Sequence, residues 1–580
     1  MSFLHEQTPS AISDRPRAQV LIIGAGINGI ATFRDLALQG VDVVIVEKND
    51  YVSGTSSASS HMIHGGVRYL ENGEFRLVKE SVEERNSLLK IAPHYVKPLQ
   101  TTIPIFSTFS GVMAAPLRFV THKQGAKHVE RGALLIKMGM MIYDAFSRDG
   151  GTVPRHEFKG RTKALAALPM LNPGLKYTAT YYDAAMHDPE RLALDVLRDG
   201  LDAGPHARAV NYVEAAGMND DGVLLRNTIT GEEFRFQADV VVNTSGPWTD
   251  LTNEVLGQPS TFMGGTKGSH VVLDNPELLA ATGGREIFFE HEDGRIVLIY
   301  PLKGRVLVGT TDLEHDMTQP IRCTEEEIDY FFDLVAHVFP TVPVDRSHIV
   351  FRFAGVRPLP RHDDEAPGFV SRDYRIESRP LPRTGAPDGT LLSLVGGKWT
   401  TFRALAENLS TDILKLLGVP RTVSTEGLAI GGGRDWPASE AAHLVWVTAH
   451  GDEVGADRAA VLLARYGTRA SEVIDFLTDP TGAADASLAH NAAYTRREIE
   501  FLASTEGVVR LIDVLLRRTS MAFVGDVTTP LIEELALVVA PVLGWDAGRR
   551  AEEIEMARGI LSDVHGVELG PVSRDTVLVS

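Results

Sequence analysis

A strand, a glycine turn and a helix open the folded part of this chain, and together they admit few architectures. Val20-Leu21-Ile22-Ile23 is an apolar run that reads as a buried parallel strand. Gly24-Ala25-Gly26-Ile27-Asn28-Gly29 follows at once, and residues 30–39 carry apolar side chains at helical spacing. Gly40 is a natural stop for that helix, and residues 41–46 form a second, largely β-branched strand ending on Glu47. This is a βαβ unit with G-x-G-x-x-G at its first turn and an acid about twenty residues on. Gly24, Gly26 and Gly29 let backbone close on a pyrophosphate, and the helix start, with Asn28, offers N–H groups and partial positive charge. Glu47 can accept from ribose hydroxyls. The plainer alternative is a glycine-rich turn in an ordinary Rossmann unit, but strand, turn, helix, strand and acid all stand in order.

That unit alone does not separate FAD from NAD. The next stretch, residues 55–70, is a run of small hydroxyl residues followed by His64, Gly65 and Gly66. Thr55, Ser56, Ser57 and Ser59 suit a chain running beside a diphosphate, and bare backbone at Gly65 suits a flat ring. A flexible Ser-rich loop is the alternative, but the run sits directly after the Glu47 strand and leads into a helical segment, 74–91.

Residues 56–70, with Glu74-Phe75-Arg76-Leu77-Val78 and Ala92-Pro93-His94, resemble the FAD-dependent glycerol-3-phosphate dehydrogenase family. Further motifs follow in order: Val242-Asn243-Thr244-Ser245-Gly246-Pro247-Trp248, Lys267-Gly268-Ser269-His270, Gly309-Thr310-Thr311-Asp312, Gly355-Val356-Arg357-Pro358-Leu359, Ser371-Arg372-Asp373-Tyr374 and Gly396-Gly397-Lys398-Trp399-Thr400-Thr401-Phe402-Arg403. The resemblance spans about residues 17–415 and continues more weakly beyond. His61 and Met62 depart from the family's usual Lys or Arg and Leu, and Trp399 stands where Leu is common.

At 580 residues, about 150 per domain suggests three or four domains or a large composite. A net charge of −19 argues against nucleic acid as a general partner, so a phosphate-bearing substrate needs a locally basic pocket. Cys323 is the only cysteine, which excludes intrachain disulfides, a Cys-ligated iron–sulfur cluster and a cysteine-pair shuttle within one chain. Residues 1–18 lack a signal-peptide core and read as a mobile or loosely docked extension, and no stretch reaches spanning length. No His, Cys and carboxylate set has metal-ligand spacing.

The expected fold is α/β: a Rossmann-like FAD-binding domain, an antiparallel β-sheet substrate domain and a C-terminal all-helical domain. The expected division is an extension over 1–16, an oxidoreductase over 17–430 and a helical cap over 435–575. Within the oxidoreductase, about 17–105, 180–260 and 345–425 belong to the FAD part, and 106–179 and 261–344 to the substrate part. Strands are expected at 101–106, 238–244, 267–273, 286–290, 295–300, 305–309 and 391–395. Residues 192–203 and a segment from about Thr400 read as helices, the second placing its N-terminus near the flavin ring. Residues 420–434 read as a glycine-containing linker, and helices follow at 439–450, 457–466, 470–476, 487–502, 507–522, 531–542 and 547–565. That part carries no cofactor motif and reads as a cap or oligomerisation module, which allows a homodimer. Residues 111–141 combine five Lys or Arg with one Glu and a thick apolar face. They read either as core with a solvated basic side or as a foot on a membrane surface. The resemblance favours the membrane reading, because that family is peripheral on membranes and reduces quinone there. It places the chain on the inner face of the cell membrane, on its cytoplasmic side.

There is one dinucleotide unit and no cysteine pair, so electrons should enter from a bound organic substrate and leave to a diffusible acceptor. The resemblance implies oxidation of sn-glycerol 3-phosphate to dihydroxyacetone phosphate, with FAD as cofactor and quinone as acceptor. An oxidase using O2, and more distantly an amine or 2-hydroxy-acid oxidase, are the rivals. The hydroxyl proton needs a base, for which His64 and His270 are candidates, His64 slightly ahead because it precedes Gly65-Gly66. The family motifs single out Arg68, Lys267, Arg357, Arg372 and Lys398 for the phosphate, with Tyr69 adding a hydroxyl. Arg357 is also a candidate to hold the C2 oxygen as charge develops, and Lys398 to contact the flavin. Gly246, Gly397, Thr400 and Thr401 complete the expected cofactor contacts.

Overall fold

The computed structural model describes residues 8–66, 75–106, 136, 140, 154–290, 296–361, 373–381 and 388–569. The opening unit forms as its pattern requires. The strand Arg17–Ile23 pairs in parallel with Val43–Glu47, Val20 opposite Val43, and the helix Ile27–Leu38 connects them. Gly40 ends the helix at φ +76°, a conformation that suits glycine. The main path of the first sheet runs Arg375–Leu381, Gly389–Val395, Glu233–Asn243, Arg17–Ile23, Val43–Glu47, Ala207–Asn211, parallel except at its first pair, and Gly222–Asn227 with Val213–Asn219 extends it antiparallel from Glu233–Asn243. Val20, Ile22, Val43 and Ile45 pack beneath Phe33, Leu36 and Leu192–Leu197 in one core.

The second sheet is larger and mostly antiparallel, with Thr266–Leu273, Arg305–Gly309, Ile296–Leu302 and Glu286–Glu290 as consecutive neighbours. Val96–Ile105, Tyr177–Met186 and Ile349–Val356 also belong to it. The reason lies in pairing: Val96–Ile105 and Tyr177–Met186 match residue for residue over ten positions, and Glu286 and Ile287 continue the sheet from them in parallel. One face covers the helix Glu325–Val338 through Val271, Ile299 and Phe331. The other face shares a core with the C-terminal helices, where Tyr300, Phe351 and Phe353 meet Leu462, Leu515 and Leu535.

Four expectations change. Residues 8–18 are docked: Thr8 caps the helix Pro9–Ser13, and Ile12 is fully buried beside Leu21 and Phe236. The 420–434 segment ends in a buried turn, Gly431–Gly433, rather than a loose linker. A Cβ at Gly431, Gly432 or Gly433 would lie 2.0–2.2 Å from Asp195, the Tyr466 carbonyl or the Ile91 carbonyl. The helix expected over 487–502 starts only at Arg496, because Thr495 Oγ1 accepts from Glu498 N and Ser487 bridges to Thr495. The helix expected over 507–522 is a short turn, Leu511–Asp513, then a π-helical turn, Val514–Arg518, which aims both Arg517 and Arg518 at Asp50. Apart from Ile136 and Met140, residues 111–141 lie outside the described residues. Among the described residues, no helix is long and apolar enough to cross a membrane, and no group of His, Cys, Asp and Glu could hold a metal ion.

Candidate active site

Two adjoining cavities, of about 560 and 160 Å³, meet at Thr55, Ala58, Gly355, Gly397 and Lys398. The larger begins at the glycine turn, lined by Gly24, Gly26, Asn28 and Glu47. A Cβ on Gly29 would lie 2.1 Å from the Gly24 carbonyl oxygen, and one on Gly24 would lie 2.9 Å from Ser245 backbone. The turn therefore closes only with glycine at those positions. Glu47 accepts from the backbone N–H of Ala25 at 2.8 Å and of Asn49 at 3.1 Å. Burial raises its carboxyl pKa, opposed by those same N–H groups. Ser56 Oγ sits 3.0 Å from the Ile27 N–H, at the helix start.

Thr55, Ser56, Ser57 and Gly246 line the larger cavity, and Ser59 and His64 the smaller. Gly65 instead donates its N–H to Asp183, 3.0 Å away, which also holds the buried Arg85. Thr400 and Thr401 are buried at the turn before the helix Phe402–Leu417, and Thr400 Oγ1 lies 3.3 Å from the His64 carbonyl. These two threonines line neither cavity. Thr55 Oγ1 donates to the Val356 carbonyl at 2.7 Å, tying the hydroxyl-rich segment to the strand that leads into Arg357.

The smaller cavity gathers His64, His270, Arg357 and Lys398 around the bare backbone of Gly268, Gly396 and Gly397. Arg357 is held by three bonds of 3.0 Å, to Asp312 Oδ1, Thr310 Oγ1 and the Thr311 carbonyl. A Cβ on Gly268 would reach 2.4 Å from the Arg357 guanidinium, so glycine there makes room for it. His270 Nε2 lies 2.8 Å from Ser60 Oγ, and its ring stacks on Phe353 at 4.8 Å. Burial, then the Arg357 charge, pushes the His270 pKa well below 6.5, so the ring rests neutral. Lys398 Nζ donates to Ser81 Oγ at 2.6 Å.

Lys267, expected at the substrate phosphate, lines neither cavity. Its ammonium is buried against Glu327 Oε2 at 2.8 Å and the Arg322 carbonyl at 2.7 Å. Its place in the Thr266–Leu273 strand explains this: alternation sends Lys267 and Ser269 to the Glu327 side, and His270 to the opposite side with Phe353. Arg68, Tyr69 and Arg372 lie outside the described residues.

One wall of the larger cavity had no sequence motif. Leu516, Arg517, Thr519, Ser520, Phe523, Val564 and His565 come from the C-terminal part of the chain and pack beside His61, Phe351 and Phe353, with the His565 ring stacked on Phe351 at 4.5 Å and Phe523 5.1 Å from His61. His61 sits at φ +55° with Nδ1 3.1 Å from the Met186 carbonyl. The one signal in the sequence was the pair Arg517-Arg518 inside an otherwise apolar helical pattern.

The glycine cradle, the Glu47 carboxylate beside it and a buried Asn28 Oδ1 without a partner among the described residues fit a flavin adenine dinucleotide. With a cationic pocket at the far end of the same channel, they define a flavin-dependent oxidoreductase. The sequence profile of the FAD dependent oxidoreductase family matches residues 19–383, and that of the C-terminal domain of alpha-glycerophosphate oxidase matches 423–550. The chain belongs to the FAD-dependent glycerol-3-phosphate dehydrogenase family. It is 32% identical over 564 residues to a glycerol-3-phosphate dehydrogenase of Synechocystis sp., covering 92% of this chain and 95% of that one. It is 28% identical over 581 residues to the mitochondrial glycerol-3-phosphate dehydrogenase of Bos taurus, covering 93% and 73%. In fold it matches a glycerol-3-phosphate dehydrogenase from Bacillus halodurans solved with FAD, at TM-score 0.72 and 22% identity, over 99% of this chain and 100% of that one.

Proposed function

We propose that this chain oxidises sn-glycerol 3-phosphate at C2, giving dihydroxyacetone phosphate, and that the electrons pass on to a quinone. The observation that carries this reading is the smaller cavity, where a fixed guanidinium, an ammonium and a neutral imidazole face one space adjoining the FAD channel. When bound, FAD supplies the hydride acceptor. Gly24, Gly26, Asn28 and Glu47 hold its adenosine diphosphate end, and Thr55–Ser57, Gly246, Gly397 and Lys398 flank the rest. His270, resting without a proton, is the base this geometry favours for the C2 hydroxyl, and His64 in the same cavity is the alternative. Arg357 holds the C2 oxygen or the phosphate, and Arg68, Tyr69 and Arg372 add phosphate contacts from segments outside the described residues. The dianion's charge is thus met locally in a chain whose net charge is −19.

Anaerobic mixing tests the reading. Glycerol 3-phosphate should bleach the flavin's visible absorbance with one dihydroxyacetone phosphate formed per flavin, and glycerol should not. A flavin that stays oxidised overturns it. Reoxidation by a soluble quinone analogue much faster than by air, with little peroxide, supports the quinone acceptor; the converse makes the chain an oxidase.

The chain divides into an extension, an oxidoreductase and a helical cap near residues 16 and 430. The basic, apolar 111–141 segment rests on the cytoplasmic face of an anionic membrane, tested by co-sedimentation with anionic vesicles. The C-terminal helices, where Leu444 and Val445 are 65% and 70% exposed, mediate a homodimer, tested by light scattering.

A further inference from the structure

Behind Arg357 stands a buried carboxylate that lines neither cavity. Glu327 lies in the first turn of the helix Glu325–Val338 and is almost wholly buried. Four donors converge on it: Thr311 Oγ1 at 2.6 Å, Lys267 Nζ and the Thr324 N–H at 2.8 Å, and Ser269 Oγ at 2.9 Å. That is far more than a helix cap needs, and capping alone would not call for Lys267 to be desolvated there.

The arrangement has one shared target, the peptide segment 310–312. Thr311 Oγ1 donates to Glu327 and accepts from the Ser269 N–H at 2.9 Å. The Thr311 carbonyl and Thr310 Oγ1 then accept from Arg357, and Asp312 accepts from both Arg357 and Thr266 Oγ1. The three hydrogen bonds from the Arg357 guanidinium to Asp312, Thr310 and the Thr311 carbonyl thus end on a segment whose middle residue hangs from Glu327.

We infer that Glu327 is a positioning residue for Arg357, acting through Thr311, with Lys267 as the cation paired to it. Glu327 touches neither cavity and takes no part in the chemistry. Burial would raise its pKa, but the hydrogen bonds from Lys267, Thr311, Thr324 and Ser269 outweigh this and lower it. Lys267 therefore serves the substrate from behind the site. The inference rests on the reading of Arg357 as the residue that faces substrate.

A double-mutant cycle on the FAD-loaded protein tests it, read as the rate of anaerobic flavin reduction by glycerol 3-phosphate. Glu327→Gln should slow reduction roughly 10- to 100-fold while flavin content and absorption spectrum stay those of the parent. In an Arg357→Ala background the same change should matter less than about twofold, because the group it positions is gone. Thr311→Val should repeat the pattern and carries the cycle if Glu327→Gln does not fold, and Thr311→Ser, which keeps the hydroxyl, should restore the rate. Equal losses in both backgrounds would make Glu327 a purely structural group and overturn the inference. So would a parent-like Glu327→Gln beside a crippled Arg357→Ala. A parent-like Arg357→Ala overturns the site reading itself, and the inference with it.

Discussion

Asp50, three residues past Glu47, is bonded by Arg518 at 2.7 and 2.8 Å, with neither side chain exposed to solvent. Arg517 reaches the same carboxylate, and Asn211 Nδ2 donates to it at 3.0 Å. The turn that follows the strand Val43–Glu47 is thereby fastened to the C-terminal part of the chain. Asp50→Asn leaves two buried guanidinium groups short of charge and should cost about 3–5 kcal/mol in chemical denaturation. Flavin should also be lost more readily on dialysis.

Acid should undo the same contact in a defined window. Burial alone would raise the Asp50 pKa, but Arg518 and Arg517 outweigh it and hold it at about 2. A depressed carboxylate stabilises fully above its unfolded value of about 3.9 and loses that contribution as pH falls toward the folded value. The melting-temperature gap between the parent and Asp50→Asn should be flat above about pH 4 and close below it.

Histidines act at milder acidity. Burial holds His61, His187 and His565 at about 4, against 6.5 when unfolded. Between those values the unfolded chain binds more protons, so stability falls as pH drops from about 6.5 to about 4. Urea midpoints measured across that range should decline, and His565→Asn should make the decline shallower.

Arg357→Ala should lower kcat/KM for glycerol 3-phosphate about 100- to 1,000-fold, because a fixed cation at the reacting oxygen or the phosphate is removed. Flavin content should not change, since the tested side chain belongs to the smaller cavity. Parent-like kinetics would take Arg357 out of the site.

Gly29→Ala should abolish flavin retention, because its methyl would lie 2.1 Å from the Gly24 carbonyl oxygen and 2.6 Å from Thr244 Oγ1. Gly160→Ala, with nothing within 4 Å of the added methyl, serves as the control and should leave flavin content and melting temperature unchanged.

Local periodicity was enough to read the opening unit, because Val20–Ile23, the glycines and Glu47 fall within one contiguous βαβ stretch. It also located the Thr266–Leu273, Glu286–Glu290 and Arg305–Gly309 strands to within about a residue. Sheet membership was not legible, since pairing between Val96–Ile105 and Tyr177–Met186 is decided across a long insertion. Nor was the fate of Lys267, which depended on which side of its strand met Glu327. The cavity wall from Leu516 to Phe523 carries only the Arg517-Arg518 pair as a local signal, and its place beside Phe351 and Phe353 is set by the fold in three dimensions.

The triple-glycine turn at Gly431–Gly433 has a practical consequence. Carbonyl oxygens of Ile91 and Tyr466 and the carboxylate of Asp195 press against it on all sides. It is a weld, with no slack for a hinge. Backbone on either side of this turn is therefore held in register by close packing against Ile91, Asp195 and Tyr466. A protease that nicks the backbone near this turn should leave two fragments that still co-migrate, yellow, on a sizing column.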